Sequence, residues 1–98
     1  MGLDWTENAE VVARRVRAMD PEPGAWTLLE GAPFKLFGAL PINGSGAPGT
    51  VLSAGESLVI ACGTGAISVA EVQPAGKSQM SAHAWATGRR GAPLPRFG

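Results

Sequence analysis

Most routes to self-contained chemistry are missing from this chain. It has one cysteine, Cys62, and one histidine, His83. An internal disulfide is therefore impossible, and the pair cannot supply the ligand set of a zinc site. No Ser/His/Asp set, pocketed carboxylate pair or metal-ligand cluster can be assembled, so no catalytic, cofactor or metal residues are assigned. Eight basic and eight acidic side chains cancel to a formal net charge of zero. A free-standing nucleic-acid binder usually carries a basic excess, so any RNA contact has to come from local clusters of cations. No apolar run approaches the roughly 20 residues of a membrane span. The first residues also lack the basic-then-apolar order of a signal peptide, and the expected location is cytoplasmic, without a membrane partner.

What is present is enough for a core. Ninety-eight residues with 45% hydrophobic content make one domain, 1–98, burying roughly 60–65% of the unfolded surface. The 14 glycines and 8 prolines gather at turns rather than forming a repeat. Cys62 ends the apolar run Leu58-Val59-Ile60-Ala61 and reads as a small buried hydrophobe. Pairing it with His83 as a nucleophile lacks a third, orienting group.

Val12, Val16 and Met19 recur at i, i+4, i+7 and predict a helix over about residues 7–19. Thr6 is its expected N-cap, with Glu7 and Glu10 in the first turn. Asp20-Pro21-Glu22-Pro23-Gly24 ends it. Arg14 and Arg17 fall opposite the apolar stripe, and Glu10 is spaced to pair with Arg14. The period then changes to two. Trp26 and Leu28 share one face, and Phe34, Leu36 and Leu40 share another, with Lys35 and Phe37 pointing away. Residues 41–49 form a loop, residues 50–53 and 57–62 short strands, and residues 66–73 a longer one. In the last, Val72 is out of phase with Ile67 and Val69, and a bulge near Ala70 would reconcile them. Ser81 is expected to cap a short helix through Thr87, ended by Gly88. Residues 91–98 read as a loose tail. One helix plus about five short strands with glycine turns points to a mainly β protein with flanking helices, a small closed or partly closed barrel.

Four collinear segments carry a family resemblance. Cys62-Gly63-Thr64-Gly65-Ala66 leads into Val72-Gln73-Pro74-Ala75-Gly76-Lys77-Ser78-Gln79-Met80, the order CGxGA…VQxxGKxxM. Upstream lie Ala47-Pro48-Gly49-Thr50-Val51 and the stretch from Arg15-Val16-Arg17-Ala18 to Pro23-Gly24-Ala25-Trp26. Together they resemble the C-terminal domain of methionyl-tRNA formyltransferase over roughly residues 4–90. The resemblance implies an OB-like barrel that handles initiator tRNA, with residues 1–5 as the remnant of an interdomain linker. It also implies an N-terminal catalytic α/β domain of the same polypeptide, using 10-formyltetrahydrofolate as co-substrate. That domain holds the family's catalytic residues and has no counterpart here, so the isolated chain is expected to be inactive. Two alternatives stand beside this reading. One is a structural C-terminal domain of a sugar- or folate-linked formyltransferase, the other a stand-alone OB-like adaptor for RNA or protein.

The candidate tRNA-binding residues are Lys77, Arg89, Arg90, Lys35, Arg14 and Arg17. Lys77 leads, because the Gly76 turn lets backbone approach a phosphate and the family motif places a lysine there. The bland alternatives are a solvated turn lysine, surface charge at Arg89-Arg90, and a solvated helix face at Arg14 and Arg17. The family turn often adds a second cation where this chain has Ser78. Trp26 and Trp85 are expected in the core rather than as stacking platforms, and Trp5 as a staple on the helix. Gln73 and Met80 are expected to supply a backbone hydrogen bond and a packing anchor. Gly63-x-Gly65 lies between strands and reads as a turn.

Overall fold

A computed structural model describes residues 2–89 and 92–98. Helix α1 (Ala9–Ala18) is followed by strands β1 (Ala25–Leu29), β2 (Ala32–Ile42), β3 (Val51–Ala54), β4 (Leu58–Ala61), β5 (Ala66–Pro74) and β6 (Met80–Ser81). Helix α2 (Ala82–Gly88) comes last. All strands pair antiparallel in one sheet of order β1-β2-β5-β4-β3, with β6 on β5 beyond the end of β4. The protein is mainly β with a helix near each end, as expected, with β6 added to the strands legible in the sequence.

The sheet curls but does not close on itself, since β1 and β3 are not paired. The C-terminal segment stands between those edges. Phe97 bridges to Leu29 and Arg96 to Thr50. The Phe97 amide donates to Gly49 at 2.7 Å and the Gly98 amide to Leu28 at 3.0 Å. Residues 95–98 are thus a latch rather than the loose tail expected, because Phe97 is buried against Trp5 and Phe34. Leu3 and Trp5, within the expected linker stretch, also pack onto the body. Leu3 donates to Trp26 O at 2.9 Å and Trp5 is 4% exposed.

Helix α1 begins two residues later than its periodicity predicts. Residues 6 and 7 are drawn against the Gly63 turn, where the Gly63 amide donates to Glu7 O at 2.9 Å. Any Cβ at position 63 would overlap the Thr6 carbonyl, so the close approach requires glycine. Thr6 is consumed locally, its hydroxyl donating to Asp4 Oδ1 at 2.5 Å. Asn8 is the N-cap instead, accepting from Glu10 N at 2.7 Å. Thr64 O takes the Ala9 amide at 2.9 Å, one of the donors a helix start leaves orphaned. Ala9, Val12, Ala13 and Val16 are buried and Met19 packs against the core.

The phase break in β5 is real, but no bulge produces it. Register against β2 is constant from Phe34↔Pro74 to Ile42↔Ala66. The break lies in both strands at once, where Gly38 (φ 66) faces Ala70. A left-handed φ at Gly38 lets Leu36 and Ala39 both point inward. Leu40 is therefore turned out, 61% exposed, rather than sharing the face of Phe34 and Leu36. The register shift in the sheet lies instead in β3, between Val51 and Ser53.

Candidate nucleic-acid interface

Strand β1 presents Ala25 and Thr27 to the core and turns Trp26 outward. This reverses the expectation that Trp26 is core. The cause is Trp5, whose Nε1 donates to Thr27 Oγ1 at 2.9 Å and so satisfies a hydroxyl that is only 2% exposed. With Thr27 inward, Trp26 must lie on the other face, half-buried beneath Gly2. Trp85 is core as expected, edge-on to Phe34 at 5.3 Å.

On that outward face Trp26 is opposite Lys35, and Lys35 is opposite Gln73. The aliphatic stem of Lys35 runs past Gly24, where an added Cβ would stand 3.1 Å from its Cδ. Gln73 Nε2 donates to Lys77 O at 3.1 Å, the backbone bond expected of it. The Lys77 amide donates back to Pro74 O at 3.1 Å, with Gly76 at φ 74 completing the turn. Lys35 and Lys77 are thereby brought to one end of one face, Lys77 exposed and Lys35 half-buried. Neither makes an ion pair among the described residues. Met80, also as expected, packs against the core.

The remaining candidate cations are dispersed. Strand β1 begins opposite Leu36, and α1 packs beside β2. There Arg17 donates to Ala39 O at 3.2 Å, and Asp20 Oδ2 accepts from Gly38 N at 3.0 Å. Arg17 thus partners strand backbone that β1 leaves unpaired, about 13 Å along the strand from Lys35 at 3.3 Å per residue. Arg14 is exposed on α1. The expected Glu10–Arg14 pair does not form; Glu7 pairs with Arg15 instead. Arg89 lies over the Trp85 ring at 5.2 Å and 3.8 Å from Glu30. Arg90 falls outside the described residues.

One further cation escaped the sequence reading. Arg96 Nε donates to Pro48 O at 3.3 Å beside a cleft of about 720 Å³ lined by Leu3, Asp4 and Thr6. The Thr6 hydroxyl, then its amide, hold the Asp4 carboxyl below its ordinary value, so this cleft carries both signs of charge. Its signal was hidden in a segment with no periodicity. Cys62 is 2% exposed and its thiol is pushed up to about 11 by burial, while His83 is exposed on α2. The thiol is neutral at pH 7, which removes it as a nucleophile. Among the described residues no group of three His, Cys, Asp or Glu can hold a metal, and no helix is long and apolar enough to cross a membrane.

Residues 2–90 match the family described as "Formyl transferase, C-terminal domain". The chain belongs to that family. Methionyl-tRNA formyltransferase of Thiobacillus denitrificans is 52% identical over 91 residues, covering 89% of this chain and 29% of that one. The protein of the same description from Magnetococcus marinus is 46% identical over 87 residues, covering 88% and 28%. That from Neisseria meningitidis serogroup C is 44% identical over 88 residues, covering 89% and 29%. The chain therefore spans less than a third of these relatives and matches their C-terminal part. Among solved structures, HypX from Aquifex aeolicus in complex with tetrahydrofolic acid superposes with a TM-score of 0.74 at 28% identity, covering 83% of this chain and 15% of that one. A multiple-substitution variant of HypX gives a TM-score of 0.77 at 26% identity over 94% of this chain and 17% of that one. The motif residues of the family domain now have structural explanations: Gly63 receives the N-terminal arm, Thr64 caps α1, and Gln73 fixes the Lys77 turn.

Proposed function

We propose that this family domain positions initiator tRNA for a methionyl-tRNA formyltransferase and takes no part in proton or formyl transfer. The observation that carries the reading is identity of 52%, 46% and 44% to three methionyl-tRNA formyltransferases along nearly the whole chain. Lys35 and Lys77 support it, as two cations on one sheet face without carboxylate partners among the described residues. The formyl chemistry, with 10-formyltetrahydrofolate, then belongs to an N-terminal catalytic domain of the same polypeptide. Tetrahydrofolic acid bound in HypX fits that division of labour.

Binding energy spent on orienting the tRNA body holds the methionyl amino group where a neighbouring site can act on it. Such contacts serve ground and transition states alike, so they act on KM. Lys77→Ala in the full-length enzyme is expected to raise the KM for methionyl-tRNA several-fold with kcat unchanged. An unchanged KM would remove Lys77 from the interface. HypX, solved in complex with tetrahydrofolic acid, fits a second reading, a structural domain of a folate-linked formyltransferase. In that case the Lys77 and Lys35 variants leave every kinetic constant for tRNA unaltered.

A further inference from the structure

The chain contains three tryptophans, and their environments differ sharply. Trp5 and Trp85 are 4% and 8% exposed. Trp26 is the half-exposed one, on the outward face of β1, opposite Lys35. The next outward pair is Leu28 and Pro33, with Leu28 37% exposed. A flat aromatic thus lies across from one cation, with two apolar residues further along the same face and a second cation in the turn that Gln73 fixes. One carboxylate on this face, Glu71, is engaged by Gln79 Nε2 at 2.5 Å. Gly2 covers part of the Trp26 ring.

We propose that Trp26 is a stacking seat for one unpaired base of a bound RNA, with Lys35 and Lys77 on the flanking phosphates. The proposal rests on the RNA-binding reading above and specifies its contact. Charge complementarity selects the occupant. Two cations free of ion pairs among the described residues favour a polyanion, and a π-face beside them favours a base, whatever its identity. A duplex keeps its bases stacked on one another and offers this seat only phosphates.

The test compares a single-stranded RNA of about ten nucleotides with a duplex of the same length, both titrated into the chain at low salt. The single strand is expected to quench tryptophan emission and the duplex to bind without quenching. Trp26→Leu should weaken single-strand binding by roughly 5- to 150-fold, the range of one lost stack, and leave duplex binding unchanged. Trp26→Phe, which keeps a π-face, should restore most of the single-strand affinity. The buried emission of Trp5 and Trp85 reports that each variant is folded. Equal loss on both probes, or no loss in Trp26→Leu while Lys35→Gln still weakens both, overturns the seat and leaves RNA binding in place. A wild-type chain that binds neither RNA, or that holds a purified catalytic domain through Trp26 instead, overturns the seat and the RNA reading together.

Discussion

At Thr27 a single buried hydroxyl decides which way a strand faces. It accepts from Trp5 Nε1 at 2.9 Å, and on hydrophobicity alone Trp26 and Leu28 would have taken its place in the core. Thr27→Val makes β1 more apolar yet leaves the Trp5 indole N–H unpaired, which costs about 1–3 kcal/mol. Thermal unfolding should register this as a Tm lower by roughly 4–8 °C per kcal/mol for a domain of this size. A Tm equal to wild type would mean the indole finds water and the strand phase has another cause. Cys62 offers a second check on the core. Burial raises its thiol from 9.0 to about 11, so the folded chain keeps a proton that the unfolded chain gives up. Its contribution is intact below pH 9.0 and is lost progressively as pH rises toward about 11. Urea unfolding of wild type should therefore weaken more steeply across that interval than that of Cys62→Ala. Parallel curves for the two proteins would place the thiol in contact with solvent.

Elements with an uninterrupted period were legible from sequence, and those set by partners distant along the chain were not. Helix α1 announced itself through Val12 and Val16, but its first residue depends on Thr64 O taking the Ala9 amide. No local pattern reveals that partner. Strand β5 showed its phase break honestly. The residue responsible, Gly38, lies on β2, so a reading of β5 alone misassigned the break to a bulge. The latch at 95–98 has neither alternation nor helical spacing, because it bridges two sheet edges through single residues. Phe97 carries that element, packed against Trp5 and Phe34 at centroid distances of 6.2 and 5.0 Å. Phe97→Ala is expected to cost about 3–5 kcal/mol and to speed amide exchange at both Gly98 and Val51, the donors that tie the latch to β1 and β3. Loss of protection confined to residues 95–98 would show that the curled sheet holds without its latch.

For the molecule as a whole, net charge is zero, and the cations are put to different uses. Arg17 covers a strand edge, Arg89 lies on Trp85 near Glu30, and Arg15 pairs with Glu7. Lys35 and Lys77 remain together on one face. That Lys35 and Lys77 lie off the core was legible from strand alternation and a glycine turn. Trp26 was hidden because its orientation is fixed by Trp5 across the fold. Two phosphate contacts give weak binding with a shallow salt dependence, each lysine contributing roughly one unit of slope in log affinity against log salt. The most direct test is the affinity of this domain for initiator tRNA across a salt series, for wild type and for Lys35→Ala/Lys77→Ala. The positioning account predicts binding at low salt that the double substitution weakens, with the slope falling by about two. Binding that is absent in wild type, or unchanged in affinity and slope by the substitutions, would contradict it.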